Sequence, residues 1–297
     1  MSRTLLGYLL VTLAALLWAT IGVFYTIAVK RFGLHPLTVV TYRALLGGIL
    51  LGLVLLPQGA KAYIIERGHF PLFLAYVTLG IVAFYAAYVY AVALVGVAVA
   101  AVLLYTAPAW VALIAGLFLD EAITRRVLAA LTLTWIGVVL VAQAYDLGHL
   151  RLNALGLLAG LASGFTYGLY SVFQKVAVRH YRPWTVQFYG LFFGGLVLAL
   201  AQPRDALLTP LTMPAVWWWL IGLALIPTLG GGLSYTIGVQ WVPVSVASIV
   251  ATLEPVAATF FGYVFLGERL TLSQWLGGVL ILSAVWLLRP REGNSPT

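Results

Sequence analysis

Two charged side chains stand inside otherwise apolar runs, and both could do chemistry there. Glu254 lies ten residues past Val244, about 15 Å along a helix and so near the middle of a hydrocarbon core roughly 30 Å thick. An ionisable group at that depth is costly, and such groups mark substrate or proton pathways. The functional reading is contact with a substrate ammonium, or a titrating proton site. A structural reading stands beside it: Pro255 removes a helical hydrogen bond and clashes with the carbonyl of Ala251, and Glu254 would satisfy the groups so freed. Arg43 is six residues beyond Leu37, about 9 Å into its run. It either grips a carboxylate bidentately or snorkels to the headgroups, and Lys175, closer to the end of its own run, is expected to snorkel.

Pro108 and Pro255 sit at matching depths in two separate runs. A kink at each would leave the carbonyls of Leu104 and Ala251 without their usual donors, which a bilayer tolerates only beside a cavity or within protein; plain packing kinks are the alternative. Trp18, Tyr88, Tyr105, Tyr167 and Tyr235 also fall inside apolar runs. Tyrosine brings a ring for stacking and a hydroxyl for hydrogen bonding, so a cavity lined by these residues suits amphiphilic or aromatic solutes. Ordinary interhelical packing is the competing reading for each, and Trp217-Trp218-Trp219 reads as an interfacial belt.

Other chemistries lack their residues. The chain has no cysteine, so thiolate metal sites and nucleophilic thiols are excluded. There is no GxxxxGK[ST] and no HExxH, and His35, His69, His149 and His180 lie singly, with no partner at metal-ligand spacing. The expectation is therefore no catalytic residue, no metal and no cofactor. A polytopic membrane enzyme would need paired acids, His or Cys near one interface, and Glu254 alone is available within the runs.

The elements that must position these residues are membrane helices. Of 297 residues 63% are hydrophobic and 8% charged, with mean hydropathy +1.05, whereas soluble domains are about 25% charged. Ten runs separated by Pro, Gly or charge can be marked: 5–29, 37–56, 72–94, 97–119, 127–145, 154–178, 184–200, 215–240, 244–266 and 272–288. The first is too long for a signal-peptide core and is read as retained. Residues 289–297 are polar and expected to be a disordered cytoplasmic tail. A net charge of +8 spread over short loops forms no dense basic patch, which argues against a nucleic-acid partner.

Sliding the sequence over itself by 147 residues registers His35-Pro36 on Arg182-Pro183, Tyr42 on Tyr189, Gly47-Gly48 on Gly194-Gly195, Tyr88 on Tyr235, Pro108 on Pro255 and Glu121 on Glu268. With two more residues of slip, Gly7 meets Gly156, Trp18 meets Tyr167 and Phe24 meets Phe173. The fold expected is therefore all-α and integral to the membrane: ten transmembrane helices as two inverted five-helix repeats, 1–145 and 154–288, joined by a loop at 146–153. Five spans per copy force the second to enter from the opposite side, a transporter arrangement. The paired aromatics Trp18/Tyr167 and Tyr88/Tyr235 should face one another at the pseudo-axis. Gly156, Gly160, Gly164 and Gly168, with Gly190 and Gly194, suit close helix packing. Counting Lys and Arg in the loops gives ten on the side of the N-terminus and five opposite, which places both termini in the cytoplasm of a cell (inner or plasma) membrane.

Leu253-Glu254-Pro255-Val256 in mid-run, Phe265-Leu266-Gly267-Glu268-Arg269-Leu270 at the next turn and Gly277-Gly278 in the last run resemble the EamA-type repeat of the drug/metabolite transporter superfamily. The first copy carries Ala107-Pro108 and Phe118-Leu119-Asp120-Glu121, with Ala107 in place of the Glu and Asp120 in place of the Gly. The chain also resembles the YddG-like amino-acid exporters of bacteria. What the resemblance implies is a ten-helix exporter of small metabolites, amino acids (aromatic ones included) foremost. Its partners would be the small-molecule substrate and membrane lipid, with a single copy sufficing. The candidate substrate-binding residues are Trp18, Arg43, Tyr88, Tyr105, Tyr167, Tyr235 and Glu254, with Pro108 and Pro255 as kinks or gates.

Overall fold

A computed structural model describes residues 2–145, 153–266 and 269–289, which are helical with no strand among them. Helix α1 (Arg3–Ala19) starts where the Ser2 hydroxyl accepts from Leu5 N–H. It is followed by α2 (Ile21–Thr26), which closes in a wide π turn. Then come α3 (Pro36–Leu55), α4 (Phe70–Ala75), α5 (Phe84–Leu104), α6 (Ala107–Phe118) and α7 (Arg125–Val141). The second half holds α8 (Ala154–Ala177), α9 (Pro183–Leu200), the short α10 (Arg204–Leu208), α11 (Trp217–Leu223), α12 (Gly232–Gly238), α13 (Val244–Ala251), α14 (Leu253–Leu266) and α15 (Leu272–Leu287). The linker and tail expected at 146–153 and 289–297 lie outside the described residues except for Asn153 and Arg289, as does Glu268.

Local devices recur at the spacing of the sequence repeat. Pro36 and Pro183 each open a helix, in the first turn where a missing N–H costs nothing. Thr124 and Thr271 each cap the helix that follows them. The helix continuing α4 widens into a π segment over Tyr76–Ala83, and the one continuing α11 does so over Ala224–Gly231. Contacts recur in the same way. Helix α5 packs on α8 and α12 on α1, while α3 pairs with α9 and α7 with α15. A methyl on Gly48 would lie 2.6 Å from the Phe192 backbone, and one on Gly195 2.9 Å from the Leu45 nitrogen. These two contacts are images of each other under the 147-residue shift.

The outer surface identifies the solvent. Leu5, Leu9, Leu13 and Leu16 form an exposed stripe along α1, and Trp275, Leu276, Val279, Leu282 and Trp286 another along α15. Stripes of this kind on helices that satisfy their own backbone fit lipid, not water. This is a multi-pass membrane protein. Seven helical stretches are long and apolar enough to cross a bilayer, against the ten runs read from sequence. The count differs partly because Arg67–Leu104 passes through Gly96, whose φ of 83° is non-helical, so that one 38-residue stretch takes in the run 72–94 and the start of the run 97–119, whose remainder is the short α6. Helices α6 and α15 are shorter apolar pieces and α7 spans 17 residues.

Two expectations about continuity need correction. The first run is broken at Thr20. Pro108 and Pro255 do not kink continuous helices: the chain breaks at Tyr105–Thr106 and at Thr252, and each proline stands in the first turn of the helix that begins there. Close packing of α3 on α9 leads to a first expected result. Gly48→Ala should cost about 1–3 kcal/mol through overpacking against backbone that has nowhere to go. Gly68→Ala, where nothing lies within 4 Å, should leave the melting temperature in detergent unchanged.

Candidate functional site

The two interruptions face each other across the interior and set the site. The break at Thr252 brings Glu254 into the first turn of α14, where the positive end of the helix favours a carboxylate. Because Pro255 is also in that turn, it frees no carbonyl for Glu254 to satisfy. Glu254 lies deep among the helices yet keeps part of its surface open, as Tyr88, Tyr105 and Tyr167 do. Side chains that are central and still accessible line a cavity. Tyr88, Tyr105 and Tyr167 all lie within range of the Glu254 charge. Tyr105 comes from the matching break on the other half. Between Tyr105, Pro108, Tyr167, Tyr235 and Thr252 the space narrows to about one water molecule.

The remaining residues singled out from sequence are placed as follows. Trp18 and Tyr235 are buried with their rings 5.2 Å apart. Tyr167 stacks on Phe84 at 5.0 Å and on Tyr170 at 5.9 Å, and Phe84 is 6.4 Å from Tyr88. Trp18/Tyr167 and Tyr88/Tyr235 therefore do not face one another as expected. Trp18 meets Tyr235 and Tyr167 meets Phe84 across the halves instead, because α1 packs on α12 and α8 on α5, whereas Tyr88 meets Phe84 of its own helix. Arg43 is buried, with its guanidinium 5.4 Å from the centre of the Tyr85 ring and within range of the Glu254 charge. It does not snorkel. Its counterpart is Gly190, where the Tyr76 hydroxyl end takes up the room a side chain would need. Of the three adjacent tryptophans, Trp218 faces outward, whereas Trp217 donates to the Pro210 carbonyl at 3.1 Å and packs on Tyr42.

Sequence reasoning missed a buried amide network beneath the cavity. Gln174 donates to the Tyr76 hydroxyl at 3.0 Å and accepts from Thr236 at 3.1 Å, and the buried Gln187 sits against Gly232. The signal was an amide in an apolar run, which charge counting passes over. It also misjudged Lys175, whose ammonium does not snorkel but donates to the carbonyls of Val239 (2.5 Å) and Val242 (2.8 Å). Glu121, noted only as one of a repeated pair, accepts from Val244 N–H (2.7 Å), Ser245 N–H (3.0 Å) and the Ser245 hydroxyl (2.5 Å). His69 and His180, read as single, pack ring to ring at 4.4 Å, with Tyr181 2.8 Å from His69 Nδ1. No group of three metal-ligating side chains occurs among the described residues.

Comparison with known proteins matches this architecture twice over: the pattern of the EamA-like transporter family fits residues 5–143 and again 154–289. An uncharacterized transporter of Archaeoglobus fulgidus is 34% identical over 67% of this chain and 70% of its own length. The uncharacterized inner membrane transporter YicL of Salmonella typhimurium is 27% identical over 97% of this chain and 96% of its own. The pseudopaline exporter CntI of Pseudomonas aeruginosa is 25% identical over 86% of this chain and 87% of its own. One solved crystal structure superposes with a TM-score of 0.80 at 19% identity, covering 96% of each chain, and so shares the fold.

Proposed function

The chain belongs to the EamA-like transporter family, and from that premise we propose that it is a secondary transporter or facilitator that exports small metabolites, amino acids foremost, across the inner or plasma membrane. Two inverted five-helix repeats rock about the central cavity and open it to one side at a time. The observation that carries this reading is the recurrence of breaks, π segments and interhelix contacts at one spacing, around a central group of half-buried polar and aromatic side chains. Two copies of one unit in opposite orientation can exchange conformations, which supplies both access states from one fold. The tyrosines and Trp18 give the cavity apolar faces with hydroxyls at their edges, suited to amphiphilic solutes including aromatic ones. A relative named as a pseudopaline exporter supports export of a metabolite and leaves other substrates of the superfamily as the alternative.

Purified protein in liposomes loaded with unlabelled amino acids should take up the labelled compound by counterflow and saturate. A linear, non-saturating flux would indicate a pore and overturn the reading. Orientation is tested separately, with both termini expected in the cytoplasm. The chain has no native cysteine, so single cysteines at Ser2 and Gln143 can be treated with an impermeant maleimide in intact cells. Gln143 is expected to react and Ser2 to stay unlabelled; the opposite pattern reverses the topology.

A further inference from the structure

Among the described residues, the helical interior holds a cation, Arg43, and an anion, Glu254, that form no ion pair with each other. Arg43 is nine-tenths buried, yet no carboxylate lies within ion-pair distance of it among the described residues. Its Nε–H is sealed from solvent without an acceptor. A guanidinium presents five donors in a planar fork and cannot shed its charge, so a buried one without acceptors is an open demand for an anion. The side chain is held for that task. Tyr85 lies under the guanidinium at 5.4 Å, a cation–π contact. Glu254 is close enough for the two charges to feel each other, but it is not bonded to Arg43.

Resting on the transporter reading above, we propose that Arg43 is the residue that recognises the substrate's carboxylate, and that with Glu254 it makes the cavity a two-pole site for zwitterions. A ligand with one carboxylate and one ammonium lets each internal charge be paired while the cavity stays neutral overall. A phosphate dianion would bring a charge the site does not balance, and a lipophilic amine would leave Arg43 unpaired at the cost of its buried donors. Internal symmetry does not supply this pole, because the position of Arg43 in the other half is Gly190 and its space belongs to Tyr76. The demand for an anion is therefore a property of this chain's first half alone.

The test compares phenylalanine with its methyl ester and with phenethylamine, which keep the ring and the ammonium but lose the carboxylate. The full-length protein in liposomes is used, with melting temperature in detergent as an independent measure of binding. Phenylalanine is expected to drive counterflow and raise the melting temperature, while ester and amine compete at least tenfold more weakly. In Arg43→Gln that preference should collapse to within about twofold, and Arg43→Lys, which keeps the charge and loses the fork, should restore part of it. Equal competition by all three compounds in the unmodified protein would overturn the proposal and leave the transporter reading standing. If no compound of a wider metabolite panel moves or shifts melting, the transporter reading fails and the proposal with it. An Arg43→Gln protein that folds and keeps full preference for phenylalanine would also overturn it.

Discussion

Replacing Glu121 by Gln is expected to open the end of the molecule that carries Ser2 and Leu288. At that end the chain between α12 and α13 is pinned from two sides. Lys175, on α8, holds the carbonyls of Val239 and Val242, and Glu121, just past α6, holds the amides of Val244 and Ser245. Each charge matches the helix terminus it meets: a cation at the closing carbonyls of α12 and an anion at the opening N–H groups of α13. The Glu121 contacts join the first half to the ninth expected run, so they must break if the halves part here; the Lys175 contacts lie within the second half and hold in place the turn that Glu121 grips. The Tyr8 hydroxyl bond to the Leu288 carbonyl at 2.6 Å puts the start of α1 and the end of α15 at the same place.

The size of the effect follows from the bonds lost. Hydrogen bonds to charged groups contribute about 1.5–3 kcal/mol each, and about 1.4 kcal/mol is tenfold in an equilibrium. Losing the Glu121 contacts should therefore raise the population open at this end by about tenfold or more. A single cysteine at the buried Ser248 reports it: its maleimide reaction rate should rise about tenfold in Glu121→Gln, and less in Lys175→Met, which only loosens the turn that Glu121 grips. Unchanged rates in both would show that neither residue holds the end shut. The opposite end has no equivalent cation, since the position matching Lys175 under the slipped register is Thr26.

How far the sequence could be read depended on which interactions leave a local mark. Apolar runs ended by Pro, Gly or charge marked the helices, and the 147-residue register placed Gly48 and Gly195, whose mutual contacts recur in the fold. Pro108 and Pro255 were legible as interruptions but not as helix starts. A proline in mid-helix and one in a first turn have the same sequence, and the deciding factor is whether the chain breaks at Tyr105 and Thr252, two to three residues earlier. The π segments at 76–83 and 224–231 left no mark, because a single wide turn does not disturb apolar composition. Arg43 and Lys175 could be seen as buried-run cations, yet whether each snorkels depends on acceptors supplied by remote segments. Val239 and Val242 offer carbonyls to Lys175, whereas Arg43 meets only the Tyr85 ring.

Glu254→Gln tests the one acid that the cavity holds. The substitution keeps size and shape and removes the charge, so the packing of α14 on α1 should persist. A bracing role for Glu254 predicts transport intact with lowered melting, but Pro255 occupies a first-turn position that needs no brace. The expected result is therefore a functional loss without a thermal one. If the carboxylate meets the substrate ammonium, amino-acid affinity should fall at every pH by about 1–3 kcal/mol, the cost of leaving one partner of a buried contact unmade, or about 5- to 150-fold. If it carries a proton instead, net transport should lose its pH dependence while counterflow exchange survives, because exchange requires binding and rocking but no net proton movement. Binding of phenylalanine, read by its melting shift, separates the two: it weakens in the first case and holds in the second. Transport and melting both unaltered in Glu254→Gln would remove the carboxylate from the mechanism, and the Arg43 pole would then have to be balanced by substrate alone.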